Sequence, residues 1–132
     1  MSEDTRSEID ARIDALEASY EFFLAYAAQG VSGDAASKQG GQLREFLEKA
    51  EAALTGLGDA FRAHVDAADL GPDQAWADIL DVLTRDAGAA RAAVALVRTR
   101  PSISSQLVDN LNANIHLRAT LTDLFLLDEA LG

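Results

Sequence analysis

An all-α fold, specifically an antiparallel up-down-up-down four-helix bundle, is what this sequence predicts, and three observations carry the expectation. Apolar residues recur at steps of three and four through four long segments, breaks rich in Gly, Ser, Asp or Pro separate those segments, and no run alternates as a strand would. Each segment is about 25 to 30 residues, or roughly 40 Å as a helix, so the four can lie side by side. The 132 residues, 48% of them hydrophobic, suffice for one core, and a single domain over 1–132 is expected.

The first helix is expected over 5–29, with Ile9, Ile13, Leu16, Tyr20, Phe23 and Ala27 on its seam. Thr5-Arg-Ser-Glu8 has the spacing of a capping box and Gly30 that of a C-terminal stop. Ala15, Phe22 and Tyr26 form a second apolar stripe on the side away from the main seam, expected to be an interface with another chain. Residues 30–41, rich in Gly, Ser and Ala, read as a flexible loop, with a first helical turn after Asp34. The second helix then runs over 35–68 on Leu43, Leu47, Ala50, Leu54, Leu57, Phe61 and Val65. Gly56 and Gly58 in its middle each cost up to about 1 kcal/mol against alanine, so a bend or a close neighbour should compensate.

Asp69-Leu-Gly-Pro72 stops that helix and starts a third over 72–98, with Gly71 as its N-cap and Pro72 as its first residue. Its seam is Trp76, Leu80, Leu83, Ala87, Ala90, Val94 and Val97, and its small-residue centre should pack closely near Gly56 and Gly58. Thr99-Arg-Pro101-Ser102 turns the chain into a fourth helix over 102–131, with Ser102 as cap. Ile103, Leu107, Leu111, Ile115, Leu121, Leu124 and Phe125 share its apolar side, with Val108 and Leu117 at the margins.

Inside that same arc stand Asn110, Asn114 and Arg118, at i, i+4 and i+8, which need partners if buried. Levelling the helices brings Asp86 and the region of Tyr20 alongside, with Asp14 on the flank Asp10, Asp14, Glu17, Glu21 as a further carboxylate for Arg118. Such a layer can fix helix register, or it can hold a small polar or anionic ligand through Asn110, Asn114, Arg118, Asp86 and Tyr20. Di-iron bundles need Glu-x-x-His pairs, and neither His64 nor His116 has one, since Phe61 and Ala113 stand three residues before them. No metal site and no cofactor is therefore assigned. His64 borders the second seam as a partly buried group, and no nucleophile or orienting acid is placed beside either histidine. No motif supports catalysis.

With a net charge of −11, the chain disfavours nucleic acid and anionic membrane surfaces as partners. Cysteine is absent and the first residues are acidic rather than basic and then apolar, which fits a soluble cytoplasmic protein. The expected function is a non-enzymatic helical interaction and assembly module that forms a homodimer or higher homo-oligomer and meets a protein partner. The alternative is a small-ligand or metal-binding bundle built on the polar layer of the last helix.

Overall fold

The computed structural model describes residues 2–71 and 73–132, and among them it contains six α-helices, one short 3-10 turn and no strand. The helices are α1 (Ser2–Ala28), α2 (Gly40–Leu54), α3 (Leu57–Ala68), α4 (Gln74–Arg98), α5 (Ser105–Asn112) and α6 (Ile115–Leu131), with the 3-10 turn over Asp34–Ala36. Six helices replace the expected four because two of the anticipated segments are broken.

Gly56 makes the first break. It takes φ +74°, a left-handed conformation that glycine adopts without the Cβ clash other residues suffer, and this ends α2 and restarts the chain as α3. Arg12 of α1 donates through Nη1 to the carbonyls of Ala53 and Thr55, at 2.9 and 2.7 Å, satisfying acceptors that the terminated helix leaves open. The seam survives the break: Leu43, Leu47, Ala50, Leu54, Leu57, Phe61 and Val65 are all buried. Gly58 is required by contact, because a Cβ there would stand 1.9 Å from Thr84 Oγ1 and 3.2 Å from Thr84 Cα. Turning the threonine hydroxyl away still leaves Thr84 Cβ at 3.0 Å and Cα at 3.2 Å, so α4 would have to give way by a few tenths of an ångström. Gly58→Ala should therefore lower stability by about 2 kcal/mol, read as a fall in urea midpoint, and an unchanged midpoint would refute this close α3–α4 approach.

Asn114 makes the second break. Its side chain accepts from the amides of His116 and Leu117, at 3.0 and 3.2 Å, so it serves as N-cap of α6 and not as a member of a buried layer. The phase of the last segment resets there. Val108, Leu111, Leu117, Leu121, Leu124 and Leu127 point inward, whereas the expected core positions Ile115 and Phe125 are exposed.

Several expected boundaries also shift. α1 begins before Thr5, so Thr5-Arg-Ser-Glu8 lies within the helix and not at its start, while Gly30 at φ +66° ends it as expected. Asp73 caps α4 by accepting from the Ala75 amide at 2.9 Å, in place of Gly71, and Pro72 lies outside the described residues. Ser104 rather than Ser102 caps α5, through the Leu107 amide at 3.0 Å.

Hydrogen bonds tie the 30–41 connection, expected as a flexible loop, to the chain around Ile103. Asp34 accepts from Arg44 Nε at 2.7 Å and from the Ile103 amide at 2.9 Å, and Arg44 also donates to the carbonyls of Arg98, Arg100 and Pro101. Beside it, Ser105 donates to the Tyr26 carbonyl at 2.7 Å and accepts from the Val31 amide at 3.0 Å. Two loops far apart in sequence are thus closed on each other.

Packing follows the breaks. α1 lies against α2, α3 and α5, while α4 lies against α2, α3 and α6. The last segment crosses from α1 to α4 at Asn114, so α6 meets α1 only lightly. That crossing opens a groove between α1 and α6.

Candidate functional site

The groove is lined by Glu17, Tyr20 and Glu21 of α1 and by Arg118, Leu121, Thr122 and Phe125 of α6, and encloses about 370 Å³. Its floor is apolar because Leu121 comes from the inner side of α6, and its rim is charged because Glu17, Glu21 and Arg118 are exposed. Arg118 makes no ion pair among the described residues; the ion pairs of the molecule lie elsewhere, such as Arg6 with Asp10 and Asp128.

Of the five residues expected to form a polar layer, the structure brings only Tyr20 and Arg118 together. Asn110 is exposed and accepts from Gln106 at 3.2 Å, Asn114 caps α6, and Asp86 faces α6 from α4. The cause is again the break at 113–114, which cancels the uninterrupted i, i+4, i+8 geometry on which that layer depended.

Of the expected interface stripe, Tyr26 is buried in the core, while Phe22 and Ala15 are half-buried. Tyr26 is fully buried and donates its hydroxyl to the Ile103 carbonyl at 2.6 Å. Burial, with the Asp34 carboxylate nearby, raises its phenol above the usual range. Phe22 stacks on Phe46 of α2 with ring centroids 4.6 Å apart, and Ala15 is half-buried against the core. α2 supplies the cover that was expected from another chain.

Three polar residues acquire roles that their spacing did not reveal. Asn112 is buried and donates to the Tyr20 carbonyl at 3.3 Å. Asp34 joins the two loops, as above. Asp123 lies on the leucine-rich α6 with one carboxyl oxygen shielded from solvent and without a donor from any described N–H or O–H group. Burial first, and then the neighbouring carboxyl of Asp86, push its pKa up to about 7. The available signal was an acidic residue set between Leu121 and Leu124. His64 is buried, with Nδ1 2.8 Å from Thr5 Oγ1, so its ring bridges α3 to α1.

The outer side of α6 is the other unusual surface. Ile115, Phe125 and Leu126 are 73%, 52% and 60% exposed, and Arg118, Thr122 and Glu129 share their side of the helix. α6 therefore carries large apolar residues on both its inner and outer faces. No described helix is long and apolar enough to cross a membrane, and no three described His, Asp or Glu side chains converge as a metal site. Comparisons with protein-family models, with curated proteins and with solved structures find no match to this chain.

Proposed function

We propose that this protein is a non-enzymatic assembly module that self-associates and meets protein partners through the outer face of α6 and the adjoining α1–α6 groove. The observation that carries the reading is the exposure of Phe125 and Leu126 on a helix whose opposite face is already occupied by the core. Adjacent large apolar side chains exposed on a helix outside its core-facing side mark interaction sites when a polar rim surrounds them, as Arg118, Thr122 and Glu129 do here. In the same reading, the legs α1, α2–α3, α4 and α5–α6 form an up-down-up-down bundle, each broken pair serving as one leg. Support comes from α2 and α3 both lying between α1 and α4. The cysteine-free, acidic sequence fits a cytoplasmic setting.

The ligand-binding reading keeps one specific support, the shared groove of Tyr20 and Arg118. Electrostatics weigh against an anionic occupant, because Glu17 and Glu21 set two carboxylates against one guanidinium. Native mass spectrometry separates the readings. The wild-type chain should show dimers, and Phe125→Asp with Leu126→Asp should leave monomers with unchanged helical circular dichroism. Association that persists in this variant would remove α6 from the interface. Added mass that disappears in Arg118→Met would favour the ligand.

A further inference from the structure

Along the exposed side of α6, Ile115, Arg118, Thr122, Phe125 and Glu129 follow one another at steps of three, four, three and four. This is the spacing of a helix–helix seam, and it faces away from the core. Arg118 and Glu129 are eleven residues apart, three turns plus about 20°, so they stand on nearly the same line roughly 16 Å apart. Opposite charges thus flank a seam centred on Thr122 and Phe125.

Such a stripe is complementary to its own reverse. Laid antiparallel on an identical helix about a two-fold axis midway between 118 and 129, Arg118 of each copy comes level with Glu129 of the other. Thr122 comes level with Phe125 in the same arrangement, which seats each phenyl ring at the mouth of the opposite copy's groove. Neither Arg118 nor Glu129 has an ion-pair partner within its own chain among the described residues. A parallel pairing would set arginine against arginine and glutamate against glutamate, which like-charge repulsion disfavours.

From this we infer that the occupant of the α6 face is a second copy of the chain, joined as an antiparallel two-fold α6–α6 pair with reciprocal Arg118–Glu129 contacts. The inference rests on the self-association proposed above and specifies its geometry. The 17 residues of α6 span about 25 Å, and one helix pair covers less than the roughly 800 Å² per partner of a standard interface. The dimer should therefore dissociate on dilution through the micromolar range.

Charge reversal tests the geometry with both residues exposed, so folding is spared. Arg118→Glu and Glu129→Arg, each alone, turn both reciprocal contacts repulsive and should weaken dimerisation by on the order of ten- to a hundredfold. An equimolar mixture of these two single variants should form heterodimers, because the two reversed residues then face each other with opposite charges and so do the two unreversed ones, and their mass difference identifies them in native mass spectra. The double variant should regain the homodimer. Dimers that are broken by Phe125→Asp with Leu126→Asp but show no recovery in the mixture or the double variant would overturn the antiparallel register while leaving the α6 interface intact. A wild-type chain that stays monomeric at hundreds of micromolar would overturn both.

Discussion

The contribution of Asp123 to stability should fall as the pH rises from about 4 to about 7, and Asp123→Asn should remove that fall. Asp123 has its folded-state pKa raised to about 7 by burial and by Asp86, against 3.8 for the solvent-exposed carboxyl of the unfolded chain. Between those values the unfolded state releases the proton while the folded state keeps it, so folding binds a proton and each step up in pH costs stability. Above about 7 both states are ionised and the loss levels off. A gap of this size corresponds to at most roughly 4 kcal/mol, and water at the open side of the half-buried carboxyl lowers the expected loss to about 2 kcal/mol. The asparagine keeps the shape, carries no charge and can donate to Asp86. At pH 8 it should therefore melt about 5 to 10 °C above the wild-type chain, with little difference at pH 4. Equal pH slopes for the two proteins, measured by urea unfolding, would show that the carboxyl is ionised at no cost.

Asp34→Ala should cost about 3 kcal/mol, a large effect for a residue in a surface connection. The side chain is only 15% exposed and holds two partners, the Ile103 amide and the Arg44 guanidinium. Removing it leaves the Ile103 amide unsatisfied and frees Arg44 from its carboxylate, and charge-assisted bonds of this kind contribute about 1.5 to 3 kcal/mol each when shielded. Asp34→Asn retains an acceptor for Ile103 and should lose about half as much. The Arg44 hydrogen bond holds the Asp34 pKa below the usual carboxylate range, so this contribution is present above about pH 4 and is lost as the pH drops through the folded-state value. The wild-type advantage over Asp34→Ala should accordingly vanish in strong acid. Amide exchange at Ile103 should quicken in the alanine variant at pH 6, and unchanged exchange with an unchanged urea midpoint would mean that the two loops close without this residue. The two carboxyls thus act with opposite sign: the Asp34 contribution is lost towards acid, and the Asp123 contribution is lost as the pH rises from about 4 to about 7.

Helix content and most of the core were legible in the sequence because both depend on short-range spacing. The seam from Leu43 to Val65 is buried at every expected position, and Leu80, Leu83, Ala87, Ala90, Val94 and Val97 follow the same pattern on α4. Gly56 and Gly58 were legible as anomalies, and the structure divides their roles: the first turns the chain, the second admits Thr84. Spacing could not show that α2 would cover Phe22 through Phe46, since the two rings are far apart in sequence and meet only when the helices dock.

By itself, the sequence determined an all-helical chain, most of the inward residues of its first three segments, Tyr26 excepted, and an apolar excess in the last. Each is a property of local periodicity, repeated every turn. Only the tertiary structure decided which side of the last segment faces outward. Asn114 can bond to the amides ahead of it as a cap or stay within a continuous helix, and both choices satisfy local rules. Docking α5 on α1 and α6 on α4 selects the cap, and the reset in helical phase moves Phe125 and Arg118 from the expected core to the surface. The same choice sets Asp123 beside Asp86, a pairing of like charges that no spacing rule would favour.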